Sequence, residues 1–83
     1  MTVEEIVTEV SRDLGLSEEL IDNAKLWARI TAFSHKRMTT EDLNVHDTHL
    51  VRMYFRTLLY RIATDPEYRR ELKAELQRRV ERN

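Results

Sequence analysis

The sequence predicts an all-α fold: a small bundle of four helices over about residues 3–14, 18–35, 48–63 and 66–81, with a short helical turn near 40–44. Three observations carry this. One glycine and one proline in 83 residues are too few for the tight turns of a β-rich chain. Charged residues make up 35% and are mostly Glu and Arg, both good helix formers. Apolar residues recur at spacings of three and four rather than two. With 41% hydrophobic residues the chain supplies one core, so residues 1–83 form a single helical domain.

The first helix opens on Thr2 and Glu5, spaced as a capping box in which each side chain bonds the other's free backbone N–H. Val3, Ile6, Val7, Val10 and Leu14 form one stripe for the core, and Gly15 follows where a left-handed C-cap belongs. Ser17 caps the second helix, with Glu18 and Glu19 in its first turn. Leu20, Ala24, Trp27 and Thr31 define one face of that helix, while Ile21, Leu26, Ala28, Ile30 and Phe33 widen it. This breadth predicts a central helix with Trp27 as a core anchor.

Residues 44–49, Asn-Val-His-Asp-Thr-His, are poor helix formers, so a break is expected there, with Asp47 capping a third helix that begins at Thr48. Leu50, Val51, Met53, Tyr54, Phe55, Leu58, Leu59 and Ile62 make this the most apolar element, and its polar stripe is limited to His49, Arg52 and Arg56. Asp65 then caps a fourth helix with Pro66 at its first position. Tyr68, Leu72, Leu76 and Val80 lie on one narrow strip of it, suited to a bundle edge or to a partner chain.

Charge is unevenly spread: −6 over residues 1–22, +4 over 23–63 and +1 over 64–83. Leu43, Val45, Leu50 and Met53, with Asn44 where a turn needs a left-handed residue, give residues 36–55 a resemblance to the helix-turn-helix of phage Cro-type repressors. The resemblance implies a DNA-reading element at residues 40–56. Arg52 would meet a guanine edge, Thr48 a phosphate or thymine methyl and Arg56 the backbone, with Lys36, Arg37 and His49 on the same face. Residues 36–43 are also similar to the loop before the last helix of the histone fold, where a basic turn, a threonine and an acidic pair recur; here residues 44–47 interrupt the continuous helix that should follow.

No nucleophile–base pattern, phosphate loop or paired catalytic carboxylate is present. His46 and His49 flank Asp47 as a zinc set might, but the plainer expectation is polar residues in an exposed turn, with no metal, cofactor or small-molecule substrate. The absence of cysteine, of a basic leader and of any apolar run near 20 residues predicts a cytoplasmic protein with no membrane partner. The chain is therefore expected to be a non-enzymatic interaction module. One form is a homodimer or adaptor meeting a partner protein through Tyr68, Leu72, Leu76 and Val80 or through the apolar third helix. The alternative is a small regulator of double-stranded DNA.

Overall fold

In the computed structural model, residues 1–30 and 41–82 are described. They form four helices, α1 (Val3–Asp13), α2 (Glu18–Ile30), α3 (Val45–Thr64) and α4 (Pro66–Arg82), and no strand occurs among them. The expected continuation of the second helix through Thr31, Phe33 and His35 lies outside the described residues, as do Lys36, Arg37, Thr39 and Thr40.

Each end of α1 follows from local chemistry. The Thr2 hydroxyl accepts from Glu5 N–H at 3.2 Å while the Glu5 carboxylate accepts from Thr2 N–H at 3.1 Å, so two otherwise free donors are satisfied at once. At the other end Gly15 takes φ +70°, which turns the chain so that Gly15 N–H reaches the Arg12 carbonyl and Leu16 N–H the Ser11 carbonyl, both at 3.0 Å. This pair of bonds is a Schellman termination. Ser17 receives Leu20 N–H on its hydroxyl at 3.3 Å and starts α2.

The start of α3 differs from the sequence expectation. Asn44, not Asp47, is the N-cap: its side-chain oxygen accepts from Asp47 N–H at 2.7 Å, and the helix begins at Val45. Asp47 is a first-turn residue whose charge suits the positive helix end. Capping and dipole outweigh the weak propensities of Val45 to His49, because propensity costs only tenths of a kcal/mol, roughly 0.5, per residue. The short helical turn is absent over residues 41–44, which run outside any helix. Leu43 N–H instead donates to the Met1 carbonyl at 3.0 Å, holding this connector against the start of α1.

A single residue, Asp65, joins α3 to α4. Its carboxylate accepts from Glu67 and Tyr68 N–H at 3.1 Å each. The Arg69 guanidinium reaches back to the Ile62 carbonyl at 2.9 Å, capping the last turn of α3, and Arg61 lies 4.0 Å over the Tyr68 ring.

The core joins Val3, Ile6, Val7 and Val10 of α1, Ala24 and Ala28 of α2, and Val51, Phe55, Leu59 and Ile62 of α3. Leu58, Tyr68 and Leu72 pack against it, and Leu76 is buried. In the ring of neighbours α1 touches α2 and α3, while α4 touches α3 and, more lightly, α2. Trp27 is half-buried at the α2–α4 seam, with the Arg79 guanidinium 5.4 Å over its ring, rather than at the centre of the core.

Candidate functional site

The surface that stands out is the outer side of α3. Among the described residues seven large apolar side chains are exposed, and five of them belong to this helix: Val45, Leu50, Met53, Tyr54 and Tyr60. Leu50 is 51% exposed, Met53 56% and Tyr60 59%, so each presents about half its surface to solvent. The burial that the sequence suggests for α3 is therefore confined to one side. Val51, Phe55, Leu59 and Ile62 face the core, while Leu50, Met53, Thr57 and Tyr60 lie on the opposite side.

The two threonines of this outer face do not offer free hydroxyls. Thr57 Oγ1 donates to the Met53 carbonyl at 3.1 Å and Thr64 Oγ1 to the Tyr60 carbonyl at 2.9 Å. An apolar neighbour would therefore strand no donor there. Tyr54 meets Phe55 edge to face at 5.1 Å between ring centres, which couples the outer face to the core.

The fourth-helix strip is used inside the chain. Leu76 is 5% exposed, Leu72 and Tyr68 pack on the core cluster, and only Val80 remains exposed. The stripe is narrow because α4 covers one edge of the bundle, where Leu76 is buried and Tyr68 and Leu72 are half-buried. Between α2, α3 and α4 lies a cavity of about 30 Å³ bordered by Trp27, Leu58, Ile62, Leu72 and Leu76, room for a water or two.

The residues of the DNA-reading element are dispersed. Arg52 is half-buried against α1, and its guanidinium donates to Glu9 at 3.0 Å. The Thr48 hydroxyl points to the Leu43 carbonyl at 3.4 Å, while His49 and Arg56 are exposed. Of the four apolar residues that would lock the two helices of that motif, Leu43 is half-buried, while Val45, Leu50 and Met53 are exposed. Asn44 is extended at φ −68°, ψ 171°, not left-handed. Lys36 and Arg37 lie outside the described residues.

Exposed ion pairs tie the helices together. Arg29 donates to Glu4 across α2 and α1, and Lys73 to Glu19 across α4 and α2 at 2.9 Å. The Lys73 hydrogen bond and its charge hold the Glu19 carboxyl below its ordinary pKa, and Arg79 with Arg78 does the same to Glu75. No cluster of three or more metal-binding side chains occurs among the described residues, and none of their helices is long and apolar enough to cross a membrane.

No family model matches the chain, and neither a curated protein nor a solved structure does.

Proposed function

We propose that this chain is a non-enzymatic, homo-oligomeric interaction module of the cytoplasm, mediating protein–protein association through the open apolar face of α3. The observation that carries the reading is the exposure of Leu50, Met53 and Tyr60 along one side of a 20-residue helix whose other side is already packed. Large apolar side chains gathered on one exposed helix face are ordinarily covered by association. Duplex DNA has less support. Arg52 is bonded to Glu9 and Thr48 to Leu43, which leaves His49 and Arg56 as the open candidates among the described residues.

Sedimentation tests the reading. The parent chain is expected to exceed its 10.0 kDa monomer mass at high concentration. Leu50→Glu and Met53→Glu should each raise the dissociation constant roughly 30-fold or more, as losing an interface anchor worth about 2 kcal/mol would. Because both sites are exposed, the monomer should keep its helical spectrum and melting temperature. A parent that stays monomeric, or a dimer indifferent to both changes, removes the proposal.

A further inference from the structure

We infer that the second copy lies antiparallel along α3, with the two-fold axis at the level of Phe55 and with Asp47 of each chain opposite Arg61 of the other. This rests on the association reading above and adds its direction and register.

The spacing comes first. His46, Leu50, Met53, Thr57, Tyr60 and Thr64 are separated by four, three, four, three and four residues, the a/d repeat of a helix-on-helix seam. These positions span α3 from its first turn to its last residue; Leu50, Met53 and Tyr60 supply the apolar surface, with Thr57 between them and His46 and Thr64 at the ends. A second helix laid along α3 would meet these positions in turn. Both threonines on the seam have their hydroxyls bonded to their own backbone, so neither would strand a donor there.

The flanking charges choose the direction. Asp47, Tyr54 and Arg61 occupy one flank of the seam, and His49, Arg56 and Ala63 the other. In a parallel pair each flank residue of one side meets the other side's residue five positions on. That sets Arg56 opposite Arg61 of the second copy, and the clash occurs twice. In an antiparallel pair like flanks meet. With the ends aligned, Leu50 layers against Tyr60, Met53 against Thr57 and His46 against Thr64, each pair summing to the same register. Asp47 then faces Arg61 of the second copy twice, Tyr54 faces its own counterpart, and a single Arg56–Arg56 encounter flanks the axis. Two attractions against one repulsion favour the antiparallel arrangement over two repulsions with no attraction. In the single chain the Arg61 guanidinium lies 4.0 Å over the Tyr68 ring of its own α4, from which the pair would draw it. Aligned ends also overlap the full helix, about 30 Å at 1.5 Å per residue.

Cysteine cross-linking tests the register, because the chain has no cysteine of its own. Leu50→Cys and Tyr60→Cys chains are made separately, then oxidised mildly alone and as an equal mixture. Disulfide-linked dimer is expected in the mixture and not in either chain alone, since Leu50 and its counterpart would be about 15 Å apart along the seam. Self-linking of Leu50→Cys would overturn the antiparallel direction. So would a mixture that fails to link although the parent sediments as a dimer sensitive to Met53→Glu; in both cases association through α3 would stand. A parent that sediments only as monomer would instead overturn the association reading, and this inference with it. As a charge check, Arg61→Glu should weaken the dimer about tenfold, and adding Asp47→Lys should restore most of it; no restoration argues against the pairing.

Discussion

Replacing Ser11 by alanine is expected to make the protein more stable. Ser11 sits inside α1, fully buried beside Val7 and Val10, and its hydroxyl has no hydrogen-bond partner. Stranding a hydroxyl away from water costs about 1–3 kcal/mol by mutational measures. Alanine removes that cost and improves helix propensity by roughly 0.5 kcal/mol. Against this stands the small void left by one oxygen and the contacts it loses, on the order of 0.5–1 kcal/mol. The net expectation is a gain of about 1 kcal/mol, which for a chain of this length raises Tm by about 4–8 °C. Paired thermal and urea melts measure it, with the urea slope unchanged so that only stability is being compared. Ser11→Val is the control: it adds bulk where no surface is free, and overpacking should cost about 1–3 kcal/mol. A Ser11→Ala chain melting at or below the parent would refute the reasoning, since the hydroxyl would then be contributing favourably.

Two further outcomes follow from local geometry. Gly15→Ala should destabilise by about 1–2 kcal/mol through backbone strain alone, because φ is +70° and an added Cβ meets nothing within 4 Å; Gly15→Asn should lose less, and equal melting of the alanine and parent chains would contradict this. Acidification should weaken the fold through Glu19 and Glu75, whose folded pKa values are lowered, chiefly by hydrogen bonds from Lys73 and from Arg79. Their contribution is present above the unfolded carboxylate pKa near ~4.3 and disappears as pH falls through the folded values. Urea midpoints between about pH 6 and pH 3 should therefore fall less steeply for Glu19→Gln, and the difference should shrink in high salt because both carboxylates are exposed to screening.

Much of the fold is legible in the residue order, and the reasons are local. Thr2 with Glu5, Ser17, and Asp65 with Pro66 each announce a helix start through groups that only need their own neighbours. Gly15 announces an end for the same reason, since its left-handed turn depends on no distant contact. Asn44 and Asp47 misled because both are good caps three residues apart. Asn44 caps, directly after Leu43, whose N–H is held by the sequence-distant Met1 carbonyl. Ser11 escaped the apolar stripe because polarity, not position, drew the stripe. The α4 strip of Tyr68, Leu72, Leu76 and Val80 is legible as one narrow apolar side, but periodicity cannot say whether that side meets its own chain or another.

The apolar breadth of α3 has the same root and leads further. At about 100° per residue, Val51, Phe55, Leu59 and Ile62 cluster on one side, and Leu50, Met53, Thr57 and Tyr60 fall roughly opposite. Two opposed apolar faces cancel as an amphipathic signal and look like a helix buried all round. A helix reads that way either because its own domain surrounds it or because it lies between its domain and something else. Within the described residues, α3 packs against α1 and α4, both serving the core side, and the residues opposite keep about half their surface in water. The breadth of apolar sequence thus exceeds what its own core uses. Leu50, Met53 and Tyr60 of this excess fall on one side of the helix, with Asp47 and Arg61 at opposite ends of one flank, while Val45 and Tyr54 lie beside it. An antiparallel second helix would cover this surface and meet the charges beside it.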